Sequence, residues 1–162
     1  MAEPSAGRDP AEPGAAEVTA TVIVNAPAGK VFAAFTAWER QGEWIPFTTV
    51  RVVTGDGGEG SVIEAVTAVG PAVLRDEMRV DRVDRPYEVR VIHCGQLLRG
   101  PGVMRCTPLG SGRTQMVWHE WFQLPGGPAG RLAWPLLWPG SKLGLNIALR
   151  RFARLVESGA LP

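Results

Sequence analysis

The chain has 162 residues, 45% hydrophobic and 20% charged, with 17 basic against 16 acidic side chains and a net charge of +1. That length is one domain's worth and can bury a core without a metal or disulfide staple. The even charge balance lacks the basic surplus of nucleic-acid binders, so no nucleic acid is expected as a partner.

Residues 1–16 are Ala, Pro, Gly, Glu, Ser, Arg and Asp after the initial Met. Such a composition buries too little apolar area to offset ordering, which predicts a disordered tail followed by one domain over residues 17–160. It also lacks the apolar stretch of a secretory signal, and no later run reaches the ~18 apolar residues of a membrane span. A cytoplasmic location is therefore expected, with Cys94 and Cys106 reduced. Arg outnumbers Lys 15 to 2 beside abundant Ala, Gly and Pro, the usage of a GC-rich bacterial genome.

From Glu17, Val18, Ala20, Val22 and Val24 alternate with Thr19, Thr21 and Ile23, the period of a strand. Asn25-Ala26-Pro27 starts a helix whose stripe is Val31, Phe32, Phe35 and Trp38, with Gly42 and Trp44-Ile45-Pro46 ending the helical region. Strands are then predicted over 48–54, 61–69, 72–83, 87–94, 103–107 and 113–124. Gly55–Gly60, Gly70-Pro71, Asp84-Arg85-Pro86, a glycine-rich loop Gly95–Gly102, and Leu109–Gly112 connect them. Close spacing without intervening helices implies antiparallel pairing. Pro135 and Pro139 interrupt the apolar segment Arg131–Trp138, which predicts that no continuous helix forms there. From Ser141 a clean helix follows, with Leu145, Leu149, Phe152 and Val156 on one stripe and Gly159 as its stop. A sheet with one open apolar face needs that helix laid across it.

Several stretches in this order are similar to the START-like, Bet v 1-like (SRPBCC) superfamily, and within it to bacterial polyketide-cyclase/dehydratase-like members. The likeness rests on Ile23-Val24-Asn25-Ala26-Pro27 with Val31-Phe32, and on Trp38 followed by Trp44-Ile45-Pro46. It continues in Val80-x-x-Val83-x-x-Pro86, in Gly112-Arg113-Thr114 with Trp118 and Phe122, and in Leu149-x-x-Phe152-x-x-Leu155. It spans about residues 17–158. The resemblance implies an α+β helix-grip fold: a curved seven-stranded antiparallel sheet wrapped around a long C-terminal helix, with two short helices after the first strand. It also implies a cavity for hydrophobic ligands, but no shared catalytic motif.

Two motifs dissolve on inspection. Gly55–Gly60 reads G-x-G-x-x-G, yet it opens a strand rather than a helix, and Asp56 and Glu59 would repel phosphate. His119-Glu120-Trp121-Phe122-Gln123 falls one histidine short of H-E-x-x-H, and on a strand His119 and Glu120 point to opposite faces. No metal and no cofactor are expected. The chain has no G-x-S-x-G elbow and no Cys-x-x-Cys pair.

Strand alternation is more informative. His93 closes the set Tyr87, Val89, Val91, and Glu120 interrupts the set Thr114, Met116, Trp118, Phe122. Both are polar members of apolar faces, so both are candidates for general acid–base work; each also reads as a rim residue or a satisfied structural hydrogen bond. Val117, His119 and Trp121 form an alternative inward face of the last strand. The expected ligand-binding set is Trp44, Phe47, Ile63, Ala65, Val80 and Val91, then His93, Met104, Trp118 and Glu120, with Leu145, Leu149 and Phe152 from the helix. Trp134 and Trp138 belong to a broken segment that packs over the cavity mouth, acts as a lid, or touches a membrane transiently.

The expected function is binding of a hydrophobic small molecule, polyketide-, quinone- or lipid-like, between sheet and helix. Alternatives are a cyclase or dehydratase acting in the same cavity, and a chaperone-like interaction module using the outer strand edges or the helix end. Monomer and homodimer both remain open.

Overall fold

The computed structural model describes residues 16–123 and 126–162, and at 131 and 133–138 the backbone alone. The elements are β1 (Ala16–Val24), α1 (Ala28–Thr36), a 3-10 helix (Trp38–Glu43), β2 (Thr48–Thr54), β3 (Val62–Val69), β4 (Ala72–Asp84), β5 (Glu88–Cys94), β6 (Arg99–Gly110), β7 (Arg113–Phe122) and α2 (Pro128–Glu157). The seven strands form one antiparallel sheet in the order β1-β7-β6-β5-β4-β3-β2. Strands β2 to β7 pair with their chain neighbours, and β1 closes onto β7. This is the helix-grip arrangement. The expected tail lies outside the described residues except for Ala16, which is already strand and buried.

Period-two alternation puts Val18, Ala20 and Val24 of β1, Met78 and Val80 of β4, Val89 and Val91 of β5, and Thr114 and Met116 of β7 on the buried face. Against them lie Val31, Phe32 and Phe35 of α1 and Leu149, Phe152 and Val156 of α2. Phe35 is the hub: its ring meets Trp38, Trp44, Trp118 and Phe152 with centroids 5.5–6.3 Å apart. The far end of α2 is tied to the start of α1, because Asn25 donates from both its backbone N and Nδ2 to Glu157 Oε1 at 2.8 Å. The loop Gly55–Gly60 turns between β2 and β3, and its Gly57 carbonyl accepts the Trp38 indole N–H at 2.8 Å.

Two sequence expectations need correction. First, α2 runs unbroken from Pro128 to Glu157, through Pro135 and Pro139. The two prolines are four residues apart, so their missing amide donors fall on one side of the helix, a loss that bends a helix rather than ending it. The lid expected at Trp134 and Trp138 concerns side chains outside the described residues. Second, β6 begins at Arg99, so Gly100-Pro101-Gly102 is strand rather than loop. A Cβ on Gly100 would fall 2.1 Å from the Trp121 carbonyl oxygen, and one on Gly102 would fall 2.2 Å from Glu120 Oε2. The glycines mark close approach across the sheet, not a turn.

Candidate functional site

Three strands, the neighbours β4 and β5 and, across β6, β7, each place one ionisable side chain at a single point of the buried face. Met78 of β4 pairs directly with His93 of β5, which sets Asp76, two residues earlier, diagonal to His93. His93 pairs with Gly100, and Gly102 pairs with Glu120 of β7. The imidazole and the Glu120 carboxylate therefore meet above β6, where the two glycines leave the sheet surface bare. His93 is 5%, Glu120 4% and Asp76 9% exposed, so all three are buried.

Both imidazole nitrogens are engaged. His93 Nδ1 lies 2.9 Å from each Asp76 oxygen, and Nε2 lies 2.8 Å from Glu120 Oε2. The Trp118 indole N–H donates to the other Glu120 oxygen, and the Phe122 ring stands edge-on to His93 at 5.3 Å. Burial works against a charged imidazole. The Glu120 charge and the hydrogen bonds to Asp76 and Glu120 outweigh it and raise the His93 pKa to about 10. The raised pKa favours the protonated ring, and with both ring nitrogens engaged by carboxylates His93 has no free lone pair to offer as a general base.

The cluster forms part of the wall of a cavity of about 170 Å³. Phe35, Trp38 and Ile45 from the helical region and Ala65, Leu74, Met78, Val89, Val91, Leu98, Val103, Met104 and Trp118 from the sheet side make it mostly apolar. Gln41, Thr48 and Thr67 are the neutral polar members, and Gly102 opens the floor in front of Glu120.

Of the residues expected to bind ligand, Ala65, Val91, His93, Met104, Trp118 and Glu120 line this cavity. Trp44, Ile63, Val80, Leu149 and Phe152 do not: they are fully buried in the packing behind it. Leu145 packs half-buried against the same core. Phe47 is 71% exposed, turned outward by a left-handed backbone (φ 59°), and has no place in the lining. Tyr87, read as inward, precedes β5 and is exposed. On the opposite face of β7, His119 stacks on Trp121 and its Nε2 lies 2.6 Å from Glu17 Oε1. Cys94 is exposed and Cys106 buried, both free. Burial pushes the Cys106 thiol up to about 12, which leaves it inert.

The sequence reading missed Asp76. Its signal is the one that exposed His93 and Glu120: Leu74, Asp76, Met78 and Val80 alternate along β4 with one polar member. It also took Gly102 for loop. Among the described residues no group of His, Cys, Asp and Glu is arranged to hold a metal. In the triad itself each imidazole nitrogen faces a different carboxylate, so the three share no common point for an ion.

A search among curated proteins finds no match to this sequence. Solved structures show the fold. The chain is similar to a Thermus thermophilus protein, at 18% identity and a TM-score of 0.73 over 89% of this chain and 99% of that one. It is similar to the Zhui aromatase/cyclase from Streptomyces sp. R1128, at 20% identity and 0.70 over 90% and 98%. Norcoclaurine synthase from Thalictrum flavum matches at 14% identity and 0.66 over 88% and 86%. Residues 15–157 match the family described as polyketide cyclase / dehydrase and lipid transport, and with a match over that much of its length the chain belongs to this family.

Proposed function

We propose that the protein binds a small, mostly apolar molecule in the cavity, with the molecule's polar end against Asp76, His93 and Glu120. Membership of the family supports a ligand-binding or cyclase role. The observation that carries the finer reading is a buried ionic cluster set in an otherwise apolar wall. A buried ion pair rarely repays its desolvation through stability alone, so its position on a cavity wall points to a ligand. The volume narrows the class. An apolar cavity of about 150 Å³ takes up benzene, whereas pockets for drug-sized molecules start near ~300 Å³. At about 170 Å³ the cavity suits one or two rings better than a long polyketide chain or lipid tail.

NMR titration with indole tests this. Indole should shift the signals of Ala65, Val91, Met104 and Trp118. Ala65→Phe, which puts a ring into the cavity, should abolish those shifts. Absent shifts in the wild type, or unchanged shifts in Ala65→Phe, would refute the reading. Native mass spectrometry of the purified protein would identify any ligand that co-purifies.

A cyclase or dehydratase reading draws on the same cluster, because carboxylates on the cavity wall could take a proton from a bound carbonyl compound. In that reading Glu120 or Asp76 is the base, and His93 holds the charge. Glu120→Gln would then cut turnover by about 10²-fold or more while leaving affinity similar. The chaperone-like reading calls for an aromatic-rich outer edge, and the edge strands β1 and β2 carry no aromatic residue.

A further inference from the structure

The polar wall of the cavity has a charge that can be counted. His93 makes one contact of hydrogen-bond length to Asp76 (2.9 Å) and one to Glu120 (2.8 Å). Each such contact between a ring nitrogen and a carboxylate oxygen needs one proton. A neutral imidazole carries one proton, and with two carboxylates the sum is a charge of −2. The second proton brings the cluster to −1, whichever atom holds it.

The hydrogen-bond inventory points the same way. The ionic end of the wall offers three N–H donors: His93 Nδ1, His93 Nε2 and Trp118 Nε1. All three are already given to carboxylate oxygens. Each carboxylate has about four lone-pair sites, so acceptors remain where donors do not. The other polar lining groups are neutral, and one Gln41 amide N–H and both threonine hydroxyls are engaged elsewhere. Gln41 Nε2 donates to the Phe35 carbonyl at 2.9 Å, and the Thr48 and Thr67 hydroxyls lie 2.8 Å apart. The described lining contains no lysine or arginine. In a mostly apolar cavity, where Coulomb interactions are stronger than in water, no charged group among the described lining residues offsets the negative wall.

We infer that the cavity selects its ligand by the polar end: it accepts a hydrogen-bond donor, such as a phenol, enol, alcohol or ammonium group, and rejects a carboxylate or other anion. This rests on the cavity being the binding site. A ligand hydroxyl placed at Glu120 or Asp76 completes an acceptor, whereas an anion there meets like charge with no donor to receive it.

Three one-ring probes of similar shape test this on the full chain at pH 7: p-cresol, p-xylene and p-toluate. They differ in presenting a donor, a methyl group or an anion. Protein-observed NMR should give p-cresol an affinity at least about ten-fold above that of p-toluate, the size of one hydrogen-bond difference. p-Cresol should also move the Trp118 indole N–H signal. Glu120→Gln and Asp76→Asn each remove one negative charge and introduce an N–H donor, so each should narrow the p-cresol to p-toluate ratio several-fold. Equal wild-type affinities for p-cresol and p-toluate would overturn the selectivity and leave the cavity reading standing. So would an unchanged ratio in variants whose spectra show a native fold. If none of the three probes perturbs a lining residue, the cavity reading falls and the selectivity falls with it.

Discussion

Gly102→Ala is the smallest change that tests the site. The Gly102 backbone lies outside the left-handed region, so alanine costs nothing in backbone strain there. A methyl group at that position would sit 2.2 Å from Glu120 Oε2, 2.8 Å from its Cδ and 2.9 Å from Oε1. Ordinary contact needs more than ~3.4 Å, so the carboxylate must retreat by about 1 Å. A free glutamate tip would swing away at little cost. This one is held by His93 at 2.8 Å and by the Trp118 indole, so the shift breaks one or both bonds in a buried place. An unmade buried hydrogen bond costs about 1–3 kcal/mol, more when charged. Replacing glycine returns about 0.4–1 kcal/mol through the unfolded chain. Because the bond is charged its loss falls in the upper part of that range, and the net expectation is a loss of about 1–2.5 kcal/mol, read by urea unfolding of the tryptophan fluorescence. The same substitution in a Glu120→Ala background meets no carboxylate and should be neutral or slightly stabilising, which gives a coupling energy by double-mutant cycle. An unchanged stability in Gly102→Ala, or an equal loss in both backgrounds, would show that Glu120 is not pinned above β6.

His93→Ala removes the cation between two buried carboxylates and should cost about 3–5 kcal/mol; a chemical-denaturation loss below ~1 kcal/mol would deny the pairing. The pH dependence follows from the raised pKa: the folded chain holds the His93 proton up to about 10, whereas the unfolded chain releases it near 6.5. Folding therefore takes up a proton between these values. The resulting stability is complete below pH 6.5 and declines as pH rises toward about 10, by at most ~1.4 kcal/mol per pH unit. Subtracting the profile of His93→Gln isolates this slope, and identical profiles would contradict it. Phe152, fully buried against Trp44 (5.0 Å) and Phe35 (6.2 Å), should cost about 3–5 kcal/mol on change to Ala. A smaller loss in thermal unfolding would mean that α2 does not close this core.

Where one signal decides the local structure, the sequence was enough. Alternation in 18–24 and in 89–93 assigns the strands and their buried faces; in 113–124 it assigns the strand but leaves two inward faces open. The stripe Leu149, Phe152, Val156 assigns the helix that the core closes on. The failures came where two signals conflict. Glycines at 100 and 102 suggest a loop to any local rule, and only the neighbouring strands show that their missing side chains make room for Glu120 and the Trp121 backbone. Pro135 and Pro139 argue for a break, and the tertiary arrangement overrides them. Phe47 looks like core by composition, yet a positive φ turns it to solvent. The triad itself was two-thirds legible: His93 and Glu120 stood out as polar members of apolar sets, but their meeting depends on a strand between them that local rules had shortened.

That strand links fold to chemistry. Side chains on β5 and β7 are two strand spacings apart, roughly 9.6 Å, too far for a histidine and a glutamate to bond across an ordinary residue. Bare glycine at 102 lets Glu120 lean over β6 toward His93, while the next inward residue, Met104, returns to apolar wall. The same gap holds the carboxylate beside the cavity, so one local feature builds the ionic cluster and exposes its acceptors. Replacing the three ionisable groups by apolar residues of similar volume is the kind of change that often leaves stability equal or higher. What such a replacement removes is a negatively charged, acceptor-rich end to an apolar space. On the proposed function, the position of the cluster is thus better explained by a ligand in the cavity than by what holds the sheet together.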